Sequence, residues 1–208
     1  MTVQATRRAV PRVPQRLVSA AAELFAERGY ENTSVQQIVQ RAGVTKGAMY
    51  HHFSAKDDLL FEIYHRMLAM QTERLERVAD TDRPVADRLR EASADVVVTT
   101  LANLDDAVVF FRSMHVLPPA RRAEVRAQRR RYHERFRALI EEGQRDGSFR
   151  TGVSADIATH NFFGGVHHLS TWYHRDGRMS DREIGAAFAD LLLHALAPTP
   201  TPSAGATR

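Results

Sequence analysis

Apolar positions recur at helical spacing almost from one end of the chain to the other. Over 16–29, Leu17, Ala20, Ala21, Leu24 and Phe25 repeat every three or four residues, and Gly29 ends the run. Val35, Ile38 and Val39 give a second segment one apolar face, with Ser34 placed as its N-cap and Gln37 completing a capping box. Gly43 follows where that helix must stop and φ turns positive. Thr45 then caps a short polar, basic helix over 46–52. Two short helices joined by a glycine turn form a helix-turn-helix unit, which predicts a DNA-reading head.

Beyond it the spacing predicts a long helix over 55–79, with Ser54 as cap, Asp57 at its third position, and Leu59, Leu60, Ile63 and Met67 inward. Further helices are expected over 84–102, starting with Pro84 at its first position, then over 105–116, 119–145, 154–173 and 181–196. The breaks fall at Pro118-Pro119, Asp146-Gly147 and Asp176-Gly177. The β-prone run over 95–100 has helical neighbours, and there is no internal repeat. The predicted fold is all-α, with about nine helices: a flexible basic arm over 1–11, a three-helix DNA-binding domain over 12–56, a helical ligand-binding and dimerisation domain over 57–197, and a disordered tail over 198–208.

Composition adds exclusions. No apolar run approaches the roughly 18–20 residues that span a bilayer, and the first residues do not read as a signal peptide. Without cysteine there is no disulfide, thiol nucleophile or Cys-type zinc site, and a cytoplasmic, nucleoid-associated bacterial protein is expected. The net charge of +4 is unevenly spread. Residues 1–56 carry eight Lys and Arg against three Glu, so the whole excess sits on the predicted head, where phosphates need it.

The segments at 21–30 (Ala-Ala-Glu-Leu-Phe-Ala-Glu-Arg-Gly-Tyr), 33–38 (Thr-Ser-Val-Gln-Gln-Ile), 42–53 (Ala-Gly-Val-Thr-Lys-Gly-Ala-Met-Tyr-His-His-Phe) and 56–60 (Lys-Asp-Asp-Leu-Leu) resemble the N-terminal domain of the TetR family of transcriptional regulators in residue type and spacing. The resemblance covers about 12–63. It implies a homodimer on a double-stranded DNA operator, and a body whose small-molecule pocket moves the long connecting helix. It also implies that Tyr50 donates its hydroxyl to a phosphate. From position on the predicted unit, Thr45, Lys46, Ala48 and His51 are candidates for the groove, and Gly47 permits close approach. Thr33, Ser34, Arg41 and Lys56 are candidates for phosphate, with Arg7, Arg8 and Arg12 reaching along the backbone. Ser34 and Thr45 also read as plain caps. Met49 and Phe53 are assigned to the core.

In the body, Tyr64, Met67, Leu101, Phe110, Phe111, Met114, His115, Phe136, Phe163 and His167 are candidates for an effector pocket, although aromatic and Met-rich sets also build ordinary helical cores. Asn161, Gly164, Gly165, His168 and Trp172, together with Phe188, Leu191, Leu192 and Ala195, are expected to form a four-helix dimer seam. Two mid-helix glycines, Gly164 and Gly165, call for a close approach by a partner helix or a ligand. More loosely, the segment at 146–150 and the run from Trp172 through Ile184 resemble the bodies of acyl-CoA-sensing regulators of lipid and steroid breakdown. That likeness implies an acyl-CoA effector, with Arg112, Arg121, Arg122, Arg175 and Arg178 toward the phosphates.

Eight arginines between Arg121 and Arg137, interrupted by Glu124 and Glu134, read as circling their helix. The ten histidines show no clear ligand spacing, so no metal or cofactor is expected. Phosphate loops, Gly-x-Ser-x-Gly and a carboxylate pair are all missing, which argues against an enzyme. An architectural DNA-binding protein, or a regulator controlled by a protein partner, is the alternative class.

Overall fold

The three head helices form where their caps dictate. In the computed structural model, which describes residues 12–198, α1 (Val13–Arg28) carries Pro14 in its first turn and stops at Gly29. Helix α2 (Val35–Ala42) starts on the Ser34–Gln37 capping box and stops at Gly43, whose φ of 63° is the left-handed conformation that glycine adopts without a Cβ clash. Helix α3 (Lys46–His52) is capped by Thr45, whose Oγ1 accepts the Ala48 N–H at 3.1 Å. The arm expected over 1–11, including Arg7 and Arg8, and all but the first residue of the expected tail, lie outside the described residues.

Helix α4 (Lys56–Ala79) begins one residue later than the sequence suggested. Ala55 is its N-cap, and Asp58 rather than Asp57 takes the N–H groups of Ser54 and Ala55, at 2.6 and 3.0 Å. Asp57 instead accepts the Tyr30 hydroxyl. Helix α5 (Val85–Ala102) has Pro84 as its cap and contains the β-prone run, with Val96 and Val97 buried. There, packing overrides propensity.

Two expected helices are shorter than their periodicity implied. Helix α6 (Leu104–Arg112) gives way to a 3-10 turn (Met114–Val116), and Leu117, which precedes Pro118, is extended. Helix α7 (Pro119–Arg145) then runs unbroken. The segment over 154–173 splits at His168 into α8 (Ala155–His167) and α9 (Leu169–Trp172), just past the two low-propensity glycines. Helix α10 (Asp181–Leu196) starts on a Ser180–Glu183 capping box. No strand occurs among the described residues, and no described helix is long and apolar enough to cross a membrane.

Two apolar cores result. The first joins α1–α3 to Leu59, Leu60, Ile63 and Tyr64 of α4 and to Ala107, Val109 and Phe110 of α6. The second collects Leu75 and Ala79 of α4 with α5, α7, α8 and α10. Between them, His133 stacks on Phe163 at 4.0 Å and His167 lies 4.2 Å from Phe111. Burial, reinforced by the Arg129 charge, pushes the pKa of His133 down to about 3 and that of His167 down to about 4. Helix α10 packs on α5 most closely at Gly185, where a Cβ would sit 2.8 Å from the Ala94 carbonyl oxygen.

Gly185→Ala is therefore expected to force α10 off α5 and to cost about 1–3 kcal/mol. A urea midpoint equal to that of the wild type would contradict this close approach. The two imidazoles predict a pH response. Both stay neutral when folded, while the unfolded chain takes up protons below about 6.5. Stability is thus intact above that pH and falls as pH drops toward 4, by about 2 kcal/mol for the pair between pH 7 and 5 after allowing for solvent screening. In His133→Phe/His167→Phe, urea titrations across that window should show a visibly flatter slope.

Candidate DNA-reading surface and effector cavity

The head separates its candidates into exposed and engaged groups. Thr45, Lys46, Gly47, Tyr50 and His51 are exposed on α3, and Ala48 is half-buried. Met49, at the inner side of the same helix, is fully buried. Tyr50 is 55% exposed, an unusual position for a large aromatic with nothing to cover it. Ser34 is also exposed, with its hydroxyl occupied by the capping box: it accepts the Gln37 N–H at 3.2 Å and donates to Gln37 Oε1 at 3.0 Å.

Three expected phosphate contacts are engaged within the protein instead, Thr33 buried, Lys56 half-buried and Arg41 at the surface. The Thr33 hydroxyl is buried and donates to the Leu24 and Gly29 carbonyls, so it ties α1 to the turn that follows. Lys56 donates to the carbonyls of Tyr30 and Thr33 at 2.8 and 2.9 Å, and its ammonium sits 3.9 Å from the Tyr30 ring centroid. Arg41 pairs with Glu23 and Glu27 of α1 at 2.9 and 3.1 Å, and these hydrogen bonds push its pKa still higher. Arg16, which the sequence reading did not single out, donates to the Ala42 carbonyl at 2.5 Å and to that of Gly43 at 2.9 Å, capping the C-terminal end of α2. The orphan carbonyls that a glycine-terminated helix must leave were the signal for a nearby cation. Lys46 enters no ion pair or hydrogen bond among the described residues.

In the body, Met67, Phe110, Phe111, Phe163 and His167 do come together around a cavity of about 20 Å³. The other five effector candidates lie elsewhere. Tyr64 is buried beside it, but its hydroxyl donates to the Val109 and Phe110 carbonyls; Leu101 and Phe136 fill the body's core. Met114 packs against the head's core, and His115 is exposed. The polar lining that sequence reasoning missed is Gln71, Thr100, Arg129 and His133. Of these, only the i, i+4 spacing of Arg129 and His133 was visible in the chain. Next to the cavity-lining Met67, Arg66 links α6 to the head: its Nη2 donates to both carboxylate oxygens of buried Asp106 at 2.6 and 2.7 Å, and its Nη1 lies 3.4 Å from the Ser19 hydroxyl of α1. Burial raises the pKa of Asp106 against the opposing effect of Arg66.

The arginines suggested for phosphates are scattered. Arg121 is paired with Asp58 at 2.5 Å, Arg122 donates to the His115 carbonyl, and Arg175 lines a different hollow beside Arg66. Arg112 and Arg178 are exposed away from the cavity lining. No group of three His, Asp or Glu side chains gathers at metal-binding distance among the described residues.

The expected seam is mostly open. Ile157, Trp172 and Leu191 are 65%, 49% and 71% exposed, in company with Asn161, His168 and Ala195, which are also exposed, and Trp172 stacks over Phe188 at 6.5 Å. Gly164 faces open space. Two members belong to the chain's own packing. Leu192 is buried in the core, and Gly165 is approached by Phe188 of the same chain, whose ring would lie 3.0 Å from a Cβ there.

Comparison with known proteins agrees with this geometry. Residues 17–63 match the model for bacterial regulatory proteins of the tetR family, and residues 82–196 match that of the tetracyclin repressor-like C-terminal domain. The HTH-type transcriptional repressor KstR2 of Mycolicibacterium smegmatis is 28% identical over 85% of this chain and 87% of its own. The TetR family transcriptional regulator PfmR of Thermus thermophilus superposes with a TM-score of 0.80 at 31% identity, covering 86% of this chain and 97% of that one. AibR, solved in complex with isovaleryl coenzyme A and operator DNA, has a TM-score of 0.76 at 26% identity over 90% of this chain and 99% of its own. The chain belongs to the TetR family of DNA-binding transcriptional regulators.

Proposed function

We propose that this protein is a cytoplasmic repressor that binds a palindromic operator as a homodimer and is released by a small hydrophobic effector, an acyl-CoA. The observation that carries the DNA half is the division of cations in the head. Arg16, Arg41 and Lys56 are held by the protein's own carbonyls and carboxylates, whereas Lys46, beside exposed Tyr50 on α3, has no partner among the described residues and is the cation placed on the reading helix itself.

In this reading the first turn of α3 enters the major groove. Lys46 and His51 reach base edges or phosphates, Tyr50 donates to a phosphate, and Thr45 and Ser34 offer hydroxyls at helix N-termini. Gly47 and Ala48 keep the helix close to the duplex but form no bidentate hydrogen bonds, so specificity leans on thymine methyl contacts and DNA shape. A single head of this size covers too little DNA for specific affinity, and the exposed Ile157–Trp172–Leu191 face is where a second copy would double it. Support for an acyl-CoA effector comes from the aromatic cavity and from the ligand named for AibR. Release follows if the occupied cavity shifts α6 and α4, which Arg66 ties to α1, with coupling of roughly 1–3 kcal/mol.

Selection from a random duplex pool at about 150 mM salt should return one palindrome. With that operator, Lys46→Ala should lower affinity about tenfold and reduce the salt slope by about one, and Tyr50→Phe should weaken binding about fivefold, with folding and dimerisation unchanged. Normal binding by both variants would misplace the reading surface. Leu191→Arg should sediment as a folded monomer and lose ~100-fold or more in operator affinity; a dimer that still binds would move the seam elsewhere.

A further inference from the structure

A basic groove runs along α7 beside the aromatic cavity. Of the eight arginines between Arg121 and Arg137, three are taken up by carboxylates: Arg121 by Asp58, Arg135 by Asp80, and Arg137 by Glu141 and Asp156. Of the other five, Arg131 points to the opposite side of the helix and four share a face. Arg122, Arg126, Arg129 and Arg130 fall at i, i+4, i+7 and i+8, on one face, and none of them forms an ion pair among the described residues. Stacked like charges at this spacing repel each other. A face built this way is stabilised by an anion.

Two hollows of about 500 and 630 Å³ lie along that face and share Arg126 and Arg130, so they form one groove; Glu134 and Asp156 flank its α8 side. The groove meets the cavity at Arg129 and His133, which line both. Arg129 is the least ordinary of the set. It is half-buried, and its one polar contact among the described residues is with His167 Nε2 at 3.5 Å. Burial lowers its pKa, a cost that an arriving negative charge would offset.

We infer that the α7 groove of Arg122, Arg126, Arg129 and Arg130 holds the phosphates of a two-part effector whose apolar group enters the aromatic cavity between His133 and His167. This rests on the effector reading above and narrows it. The ligand must carry a nucleotide-like polyphosphate at one end and an acyl group at the other, and of the arginines suggested by the sequence only Arg122 belongs to the groove, where Arg126, Arg129 and Arg130 join it. Planar guanidinium forks spaced along one helix face suit successive phosphates.

The test compares release of the operator by isovaleryl-CoA and longer acyl-CoAs with release by the same acyl groups on pantetheine, which lacks the nucleotide phosphates. Calorimetry with adenosine 3′,5′-bisphosphate supplies a separate readout. Arg126→Ala/Arg130→Ala is expected to bind operator like the wild type, to need about tenfold more acyl-CoA for release, and to respond alike to acyl-CoA and acyl-pantetheine. It should also lose the bisphosphate binding that the wild type shows.

Release of the variant at the wild-type acyl-CoA concentration, with acyl-CoA still outperforming acyl-pantetheine, would overturn the phosphate site and leave the effector reading standing. Operator binding already weakened in the effector-free variant would overturn it in favour of a DNA contact. If no acyl-CoA released the wild type, the effector reading would fall. The anion site would then stand only if bisphosphate bound the wild type and not the variant.

Discussion

Everything in this molecule hangs on α4 being one uninterrupted helix that belongs to two cores. Its first half, through Leu59, Leu60, Ile63 and Tyr64, is packed into the head, and Leu75 and Ala79 are packed into the body. At 24 residues it is about 36 Å long. It has no internal proline or glycine to absorb a bend, so a displacement at its middle is carried to both ends. Met67 stands at that middle and lines the cavity. The next residue toward the head, Arg66, is locked to Asp106 of α6 and reaches Ser19 of α1. Head, connecting helix and cavity wall therefore meet within two residues, and a close-packed interior leaves little slack to absorb a displacement there.

The same economy of position governs the charges. Short helices leave carbonyls unpaired at their C-terminal ends and in the turns between them, and the head meets that demand with cations. Arg16 closes the end of α2, Lys56 closes the turn before α2, and Arg41 clamps α2 to α1. Sequence charge alone treats these side chains as interchangeable phosphate contacts. Geometry does not. With these three engaged, Lys46 is the one exposed lysine or arginine on α3 without a partner among the described residues, which is why a single substitution there can be informative.

How much of this was legible in the chain differs by element, for identifiable reasons. The helix-turn-helix could be read almost to the residue, because caps at Ser34 and Thr45 and the positive φ at Gly43 are local, one-residue signals. The long spans of α5 and α7 were equally readable from periodicity. The breaks at Ser113 and His168 were not: neither residue is a glycine or a proline, and both fall inside apolar repeats that run on regardless. For the site, exposure on α3 followed from the amphipathic pattern. The engagement of Thr33, Arg41 and Lys56 depends on partners 4–26 residues away, invisible to spacing. Periodicity likewise cannot distinguish Phe163, at the cavity wall, from Phe136, one layer deeper in the same aromatic stack.

The small size of the cavity bears directly on how an effector could act. A space of about 20 Å³ accommodates roughly one water, so any acyl group must separate α6 from α7 and α8 to enter. That opening costs the Phe111–His167 and Phe163–His133 ring contacts, a price every ligand shares whatever its length. A long chain offsets it through apolar burial, at about 0.8 kcal/mol per methylene, whereas a short branched acyl group recovers only a few such increments. For a short acyl group to act, binding energy must come from a part of the ligand that stays outside the cavity. Arg129 and His133, shared between groove and cavity, are where an anchored polyphosphate would both supply that energy and pull on the gate. On this account the groove sets the affinity, and the acyl group, by holding α6 away from Met67, sets the response.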